Sequence, residues 1–234
     1  MSECVSPPLR ILYRDEHLVA VDKPAGMAVH RSRQHPDTEV LLQRLRDQLG
    51  RRVWPVHRLD PPTSGLVLFA LDPETAQVLG RQFRDREVEK RYLAVVRGWP
   101  EASGVIDYSL RRAGRSERQE ALTEYRVLDT TELPIPMAPH PTARYALVEL
   151  KPVTGRQHQL RRHMKHISHP IIGDTTYGKG PHNRLFRDVL GYRQLMLHAG
   201  GVTVSHPVLG DTVCIESRPA WQWGDIISFS DDTG

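Results

Sequence analysis

The chain has 234 residues, 39% hydrophobic and 26% charged, with a formal net charge of +4, the balance of an ordinary globular protein long enough to bury a core. No apolar run approaches the ~20 residues that span a bilayer, and the opening MSECVSPPLR lacks the basic-then-apolar order of a signal peptide, so a cytoplasmic protein with no membrane span is expected. Cys4 and Cys214 are the only cysteines, which argues against a disulfide framework and a cysteine-based zinc site.

In chain order, RILYRDEHLVAVDKPAG reads as two short strands, Ile11 to Tyr13 and Leu18 to Val21, turned by Asp15 and Glu16 and closed by Pro24 and Gly26. TEVLLQRLRDQLG predicts a helix, with apolar residues at 41, 42, 45 and 49, Thr38 as N-cap and Gly50 past its end. LVLFAL (66–71) is a continuous apolar run suited to a central strand, and Asp72 with Pro73 supplies the cap and first residue of a following helix. Residues 88–97, 122–128 and 143–150 read as extended, whereas 111–120 and 133–142 carry charge, Gly and Pro and read as loops. GRQHQLRRHMKHIS predicts a helix with Leu160, Met164 and Ile167 on one face, and the chain closes with hairpin-like strands in LMLHAGGVTVSH and TVCIES. Many strands with few, scattered helices predict a single α+β domain, a mixed and mostly antiparallel sheet flanked by helices and loops.

Two places could carry chemistry. In VWPVHRLDPPTSGLVLFAL (53–71), Pro61 and Pro62 stiffen the backbone after Asp60, and Gly65 permits tight re-entry into the strand. His57, Arg58 and Asp60 are therefore held on a pre-organised loop, the kind of support on which catalytic groups are often placed. The second place is the segment from Lys151 to Gly173, with five Lys or Arg, four His and no acid, a segment suited to phosphate. If it is helical, His158, Arg161 and Lys165 form a stripe beside the apolar face. His163 and His166 could share a metal ion, but no acid or cysteine lies nearby in sequence and no H-E-x-x-H is present, so no metal is expected. Tyr92, inside a strand, is a core residue unless it shares a pocket with Asp60 and a cation. On these residues alone a non-catalytic RNA-binding protein and a metal-dependent hydrolase remain open beside an enzyme built on Asp60.

HRLDPPTSG resembles the signature H-R-L-D-x-x-T-S-G of the RluA-type pseudouridine synthases. LVAVDKPAGMAVH is similar to that family's first motif, KRYLAVVRG to its tyrosine motif, and TGRQHQLRRHMKHISHPIIGDTTYG and LMLHA to its arginine and C-terminal motifs. The likeness runs in order over about residues 9–217, with Pro61 standing where the family frequently has a charged or polar residue. It implies one pseudouridine synthase domain over 1–234, an isomerase working without cofactor or metal, and no S4-like RNA-binding module.

The resemblance also implies roles. Asp60 is the nucleophile, attacking sugar or base or promoting a glycal intermediate. Tyr92 stacks on the target base and accepts the C5 proton, and Arg161 is the charge partner of Asp60. Arg58 fills the space left by a flipped uridine, and Leu195 and Leu197 line the pocket beneath the base. His57, Thr63 and Gly65 are structural residues near the site, and Arg156, Arg162 and Lys165, with Lys151, contact RNA phosphates. VHRS, RDQLG, PTARYALVELKP and QLRRHMKHISHPIIGD are most similar to members acting on tRNA. A tRNA substrate is therefore implied, with uridine 65 near the acceptor stem as target and ribosomal RNA as the alternative, and a monomer is expected.

Overall fold

Asp15 makes the first turn as its side chain predicts. Its Oδ1 accepts from the amides of His17 (2.7 Å) and Leu18 (2.8 Å), so β1 (Arg10–Arg14) reverses into β2 (Leu18–Lys23). The computed structural model describes residues 7–31, 39–112, 114 and 116–231. Within it the chain divides into two compact units, one running to Val88 and taking in Val202–Ser217, the other holding Glu89–Gly201 and the residues from Arg218 onward.

In the first unit, α1 (Leu41–Leu49) buries Leu41 and Leu45 and ends on Gly50, whose φ of 64° is the left-handed conformation glycine adopts without strain. The Thr38 cap expected from the sequence lies outside the described residues, as does Cys4, and the helix follows Val40 with no side-chain cap. A two-residue strand, β3 (Trp54–Pro55), and the longer β4 (Ser64–Ala70) come next. β4 pairs antiparallel with both β2 and β3, and its residues from Gly65 to Ala70 are all buried, so the unbroken apolar run reflects cover on both faces. Asp72 then caps α2 (Pro73–Asp85) by accepting from the Thr75 amide at 2.7 Å. Leu79 of α2 packs into the cluster that holds Leu18, Ala20, Leu66 and Leu68. Each such leucine contributes about 1.5–3 kcal/mol by leaving water.

The second unit is built on four antiparallel strands in the order β5 (Glu89–Arg97), β10 (Ala143–Pro152), β9 (Leu122–Leu133) and β6 (Ser103–Asp107). Between β6 and β9 a small hairpin pairs β7 (Leu110–Arg111) with β8 (Arg118–Gln119), where the sequence predicted only loop. Alternation along β10 sends Ala146, Val148 and Leu150 into one cluster and Tyr145 and Leu147 into the other. The first cluster takes Leu160 and Met164 of α3 (Gln159–His166), with Ile167 at its edge. The second takes Leu185 and Phe186 of α4 (Gly180–Asp188) and Ile226 of α5 (Trp223–Asp231). β11 (Leu197–Ser205) begins in this unit and ends in the first, where Val202 and Val204 join the core and β12 (Thr212–Glu216) pairs with it. The architecture is the predicted α+β class with a mostly antiparallel sheet. α3 is shorter than the span predicted from 155 to 169, because His158 sits in the left-handed conformation (φ 54°) before its first turn.

Candidate active site

The His57–Gly65 loop is fixed in the first unit from several directions. The His57 Nε2 accepts from the Leu68 amide of β4 at 2.9 Å, and the ring stacks on Phe83 of α2 with centroids 4.7 Å apart. Leu59 and Thr63 are buried. The Thr63 amide donates to the Asp60 carbonyl at 3.0 Å, closing a turn whose two central residues are Pro61 and Pro62. Prolines there have fixed φ and no N–H left to satisfy. Gly65, at φ 108°, takes a conformation closed to side-chain-bearing residues as the chain enters β4. Asp60 is half-buried and Arg58 exposed.

Sequence reasoning passed over the residue that holds this turn. Lys23, at the end of β2, is fully buried, and its ammonium donates to the carbonyls of Met27 (2.7 Å), Pro24 (2.9 Å) and Pro61 (3.0 Å). Three N–H groups meet three carbonyls, and the Gly26 amide also donates to the Pro61 carbonyl, at 2.8 Å. Burial pushes the Lys23 amine down to about 8, against the attraction of the Asp60 and Asp22 charges. Its ordinary value in the unfolded chain is 10.5, so between those values the unfolded chain binds more protons and stability rises with pH. Wild-type protein is therefore expected to gain stability over Lys23→Met between about pH 8 and about pH 10.5. Urea midpoints across that window check this, and parallel profiles for the two proteins would refute it.

In the second unit, buried Gln159 fastens the entry to α3. Its Oε1 accepts from the Thr154 hydroxyl (2.7 Å) and the Arg156 amide (2.9 Å), while its Nε2 donates to the Leu122 carbonyl and the Thr123 hydroxyl, both at 2.9 Å. Two residues on, Arg161 is buried and binds Asp174 through two bonds, Nε to Oδ2 at 2.7 Å and Nη2 to Oδ1 at 2.8 Å. The same Oδ1 accepts from the amides of Thr176 and Tyr177, both at 2.9 Å. Burial disfavours the Asp174 charge, but the Arg161 and backbone hydrogen bonds outweigh it and hold the carboxyl below the usual range. The Arg161 guanidinium also lies over the Tyr177 ring, 5.1 Å from its centroid, and the Tyr177 hydroxyl is 3.0 Å from the His158 Nδ1. Gly173 precedes Asp174 at φ 78°, where a Cβ would come within 2.1 Å of the Gln194 carbonyl oxygen, so no other residue fits.

Tyr92, half-buried on β5, packs against the cluster that contains Leu195 and Leu197 together with Leu160 and Met164 of α3. The basic residues divide. Arg156 donates to the Glu120 carbonyl and Arg162 to the Arg111 carbonyl, both at 2.9 Å, tying the β7–β8 hairpin to the α3 region. Lys151 and Lys165 are exposed. The histidines diverge: His163 binds the Thr123 hydroxyl and the Tyr108 carbonyl, His166 stacks on Tyr108, and His169 binds the Arg97 carbonyl. Among the described residues no three His, Cys, Asp or Glu are grouped to hold a metal ion. Asp174 and Tyr177 were not singled out from sequence, although Asp174 was visible as the first acid after the basic run from Lys151 to Gly173.

One unit thus carries a proline-locked aspartate on the loop entering β4 and the other a buried Arg161–Asp174 clamp, on the α+β fold of enzymes that isomerise uridine in RNA. The chain belongs to the RNA pseudouridylate synthase family, whose model matches residues 17–166, and is an isomerase that converts uridine to pseudouridine. It is 51% identical over 202 residues to tRNA pseudouridine synthase C of Vibrio cholerae, covering 82% of this chain and 83% of that one. To tRNA pseudouridine synthase C of Pasteurella multocida it is 46% identical over 234 residues, covering 95% and 96% of the two chains. Among solved structures it is similar to human RNA Pseudouridylate Synthase Domain Containing 1, with a TM-score of 0.73 at 27% identity over 92% of this chain and 84% of that one. Human RNA Pseudouridylate Synthase Domain Containing 4 gives a TM-score of 0.69 at 29% identity, with 94% and 91% covered.

Proposed function

We propose that this protein isomerises uridine in tRNA, at uridine 65 near the acceptor stem, acting in the cytoplasm as a monomeric single catalytic domain without cofactor or metal. The observation that carries the tRNA reading is the 46% identity to a tRNA pseudouridine synthase C along 95% of this chain. In the reaction the C1′–N1 glycosidic bond breaks, the base turns, a C1′–C5 bond forms and the C5 proton leaves. Asp60 is the nucleophile, on a turn held by Lys23 and two prolines. Tyr92 stacks on the base and takes the C5 proton, Leu195 and Leu197 line the pocket beneath it, and Arg161 supplies the positive charge the nucleophile needs. His57, Thr63 and Gly65 keep the loop's shape, a reading supported by their hydrogen bonds and backbone geometry.

A paired uridine is out of reach of these groups, so it must be flipped from its stem at a cost of a few kcal/mol. Exposed Arg58, two residues before Asp60, fills the vacated space. Arg58→Ala is expected to slow reaction on folded tRNA by at least about tenfold more than on an unpaired strand holding the same uridine, since flipping is then the impaired step. Tritium release from C5-labelled RNA measures both rates, and equal losses on the two would assign Arg58 to chemistry or folding instead. The same assay tests the substrate. Release from tRNA transcripts and not from ribosomal RNA fragments is expected; efficient turnover of ribosomal RNA with none on any tRNA would overturn tRNA as the substrate and leave the isomerase standing.

A further inference from the structure

Beyond α3 the second unit contains a cavity of about 330 Å³ that no proposed step of the reaction uses. Among the eight residues lining it are Arg97 from the end of β5, Lys165 from the last turn of α3, Ser168 just beyond that helix, and Thr176, Tyr177 and Lys179 from the segment leading into α4. Three are cations and none is acidic. The pocket is built as well as charged. Arg97 donates through Nη2 to the Ser168 carbonyl at 3.1 Å, and its amide donates to the Pro170 carbonyl at 3.1 Å. Ser168 is turned at φ 68°. The opposite wall is fixed because Asp174 holds the Thr176 and Tyr177 amides and accepts from the Gly178 amide, at 3.1 Å, through its carbonyl. The Lys165 ammonium is poised over the Tyr177 ring, 5.8 Å from its centroid.

Three cations on supports from separate elements, with three hydroxyl-bearing side chains and no acid, suit an anion rich in acceptors such as a phosphodiester, whose two free oxygens share a negative charge. The volume is of the size of one nucleotide rather than of an extended chain. Tyr177 is shared, since its ring also lies under the Arg161 guanidinium. We propose that this pocket seats a backbone phosphate of the RNA substrate, with Arg97, Lys165 and Lys179 as its cations. The proposal rests on the reading of this protein as an RNA-modifying enzyme. It adds Arg97 and Lys179, which lie outside the basic helix, to the RNA-binding surface, and it gives Lys165 a defined partner.

The test uses full-length protein, a tRNA transcript on which wild-type turnover has been measured by tritium release, and the variants Arg97→Gln, Lys179→Gln and the triple change with Lys165→Gln. Each single change is expected to make the slope of log affinity against log salt shallower by about one. Phosphate-ethylation interference on the same transcript is the direct readout. One or two phosphates whose ethylation blocks wild-type binding should cease to matter for the triple variant, because their partner is gone. An unchanged salt slope and an unchanged interference pattern in a triple variant with wild-type circular dichroism would overturn the proposal. So would saturation by inorganic phosphate in wild type and not in the triple variant with the RNA pattern unaltered, since the pocket would then serve a free anion. Failure of the wild type to turn over any RNA would instead refute the enzymatic reading, and that arm is read independently of the variants.

Discussion

Asp60→Asn is expected to abolish pseudouridine formation, with turnover falling on the order of 10⁴-fold or more, as loss of a catalytic nucleophile does. RNA affinity should stay near wild type, and the fold should survive with a modest loss of stability from the weakened Lys23 charge. The reason lies in which atoms hold the turn. The Asp60 backbone carbonyl, not its carboxylate, accepts from the Thr63 amide, and the loop is otherwise fixed by the His57 ring, the two prolines and the Lys23 ammonium on the Pro61 carbonyl. Asn keeps the size and the acceptor oxygen and removes the negative charge with its nucleophilicity. The Asp60 charge also favours the protonated form of Lys23, so in the Asn variant the Lys23 amine should titrate lower than in wild type. Single-turnover tritium release on tRNA, beside a binding titration and a urea melt of the same preparation, separates chemistry from affinity and folding. Turnover within tenfold of wild type would remove Asp60 from the mechanism.

The backbone of the His57–Gly65 loop was legible in the sequence because its signals are local. A Pro-Pro pair after Asp60, a Gly before an apolar run and an Asp-Pro helix start each act through the backbone of their own residues; Gly65 and the α2 cap formed as expected, and the stiffened loop takes the form of a turn closed from Thr63 to Asp60. What sequence hid are side chains whose partners are distant along the chain. Lys23 carries no local signal of burial, yet the Pro61 carbonyl, 38 residues away, joins two nearer carbonyls to receive it. Asp174 lies 13 residues from Arg161, and spacing alone gave no reason to pair them. The elements missed were those with weak period. β6 (SGVID) is extended because β9 supplies a partner along its whole length, and α4 is held chiefly by Leu185 and Phe186 in a core built by other segments. His158, predicted as part of a helical stripe, is excluded from it by its left-handed backbone.

The second large effect concerns the clamp. Arg161 and Asp174 form a pair whose side chains are 5% and 0% exposed, so neither charge is hydrated and each stabilises the other. Breaking such a pair from one side costs about 3–5 kcal/mol, since it leaves an uncompensated buried charge. Asp174→Asn is expected to fall in that range by urea unfolding. The Asn can still offer an oxygen to the Thr176 and Tyr177 amides, but it places an NH₂ group against the guanidinium. Arg161→Met should cost a similar amount alone, and the double variant should lose clearly less than the sum, which is the signature of a direct pair. pH supplies an independent check. The Asp174 carboxyl is held below its ordinary 3.8, so the stability it contributes is complete above that value and is lost as acid protonates the folded form. Wild-type protein should therefore lose part of its advantage over Asp174→Asn as pH falls below about 4. On the proposed reading, Asp174 serves the reaction by holding Arg161, as a positioning residue. Below its melting temperature Asp174→Asn should still show slowed turnover at saturating tRNA, and Asp174→Glu, which restores the charge, should recover part of it. Strictly additive losses, or a cost near the few tenths of a kcal/mol of a surface substitution, would show that the two side chains do not depend on one another.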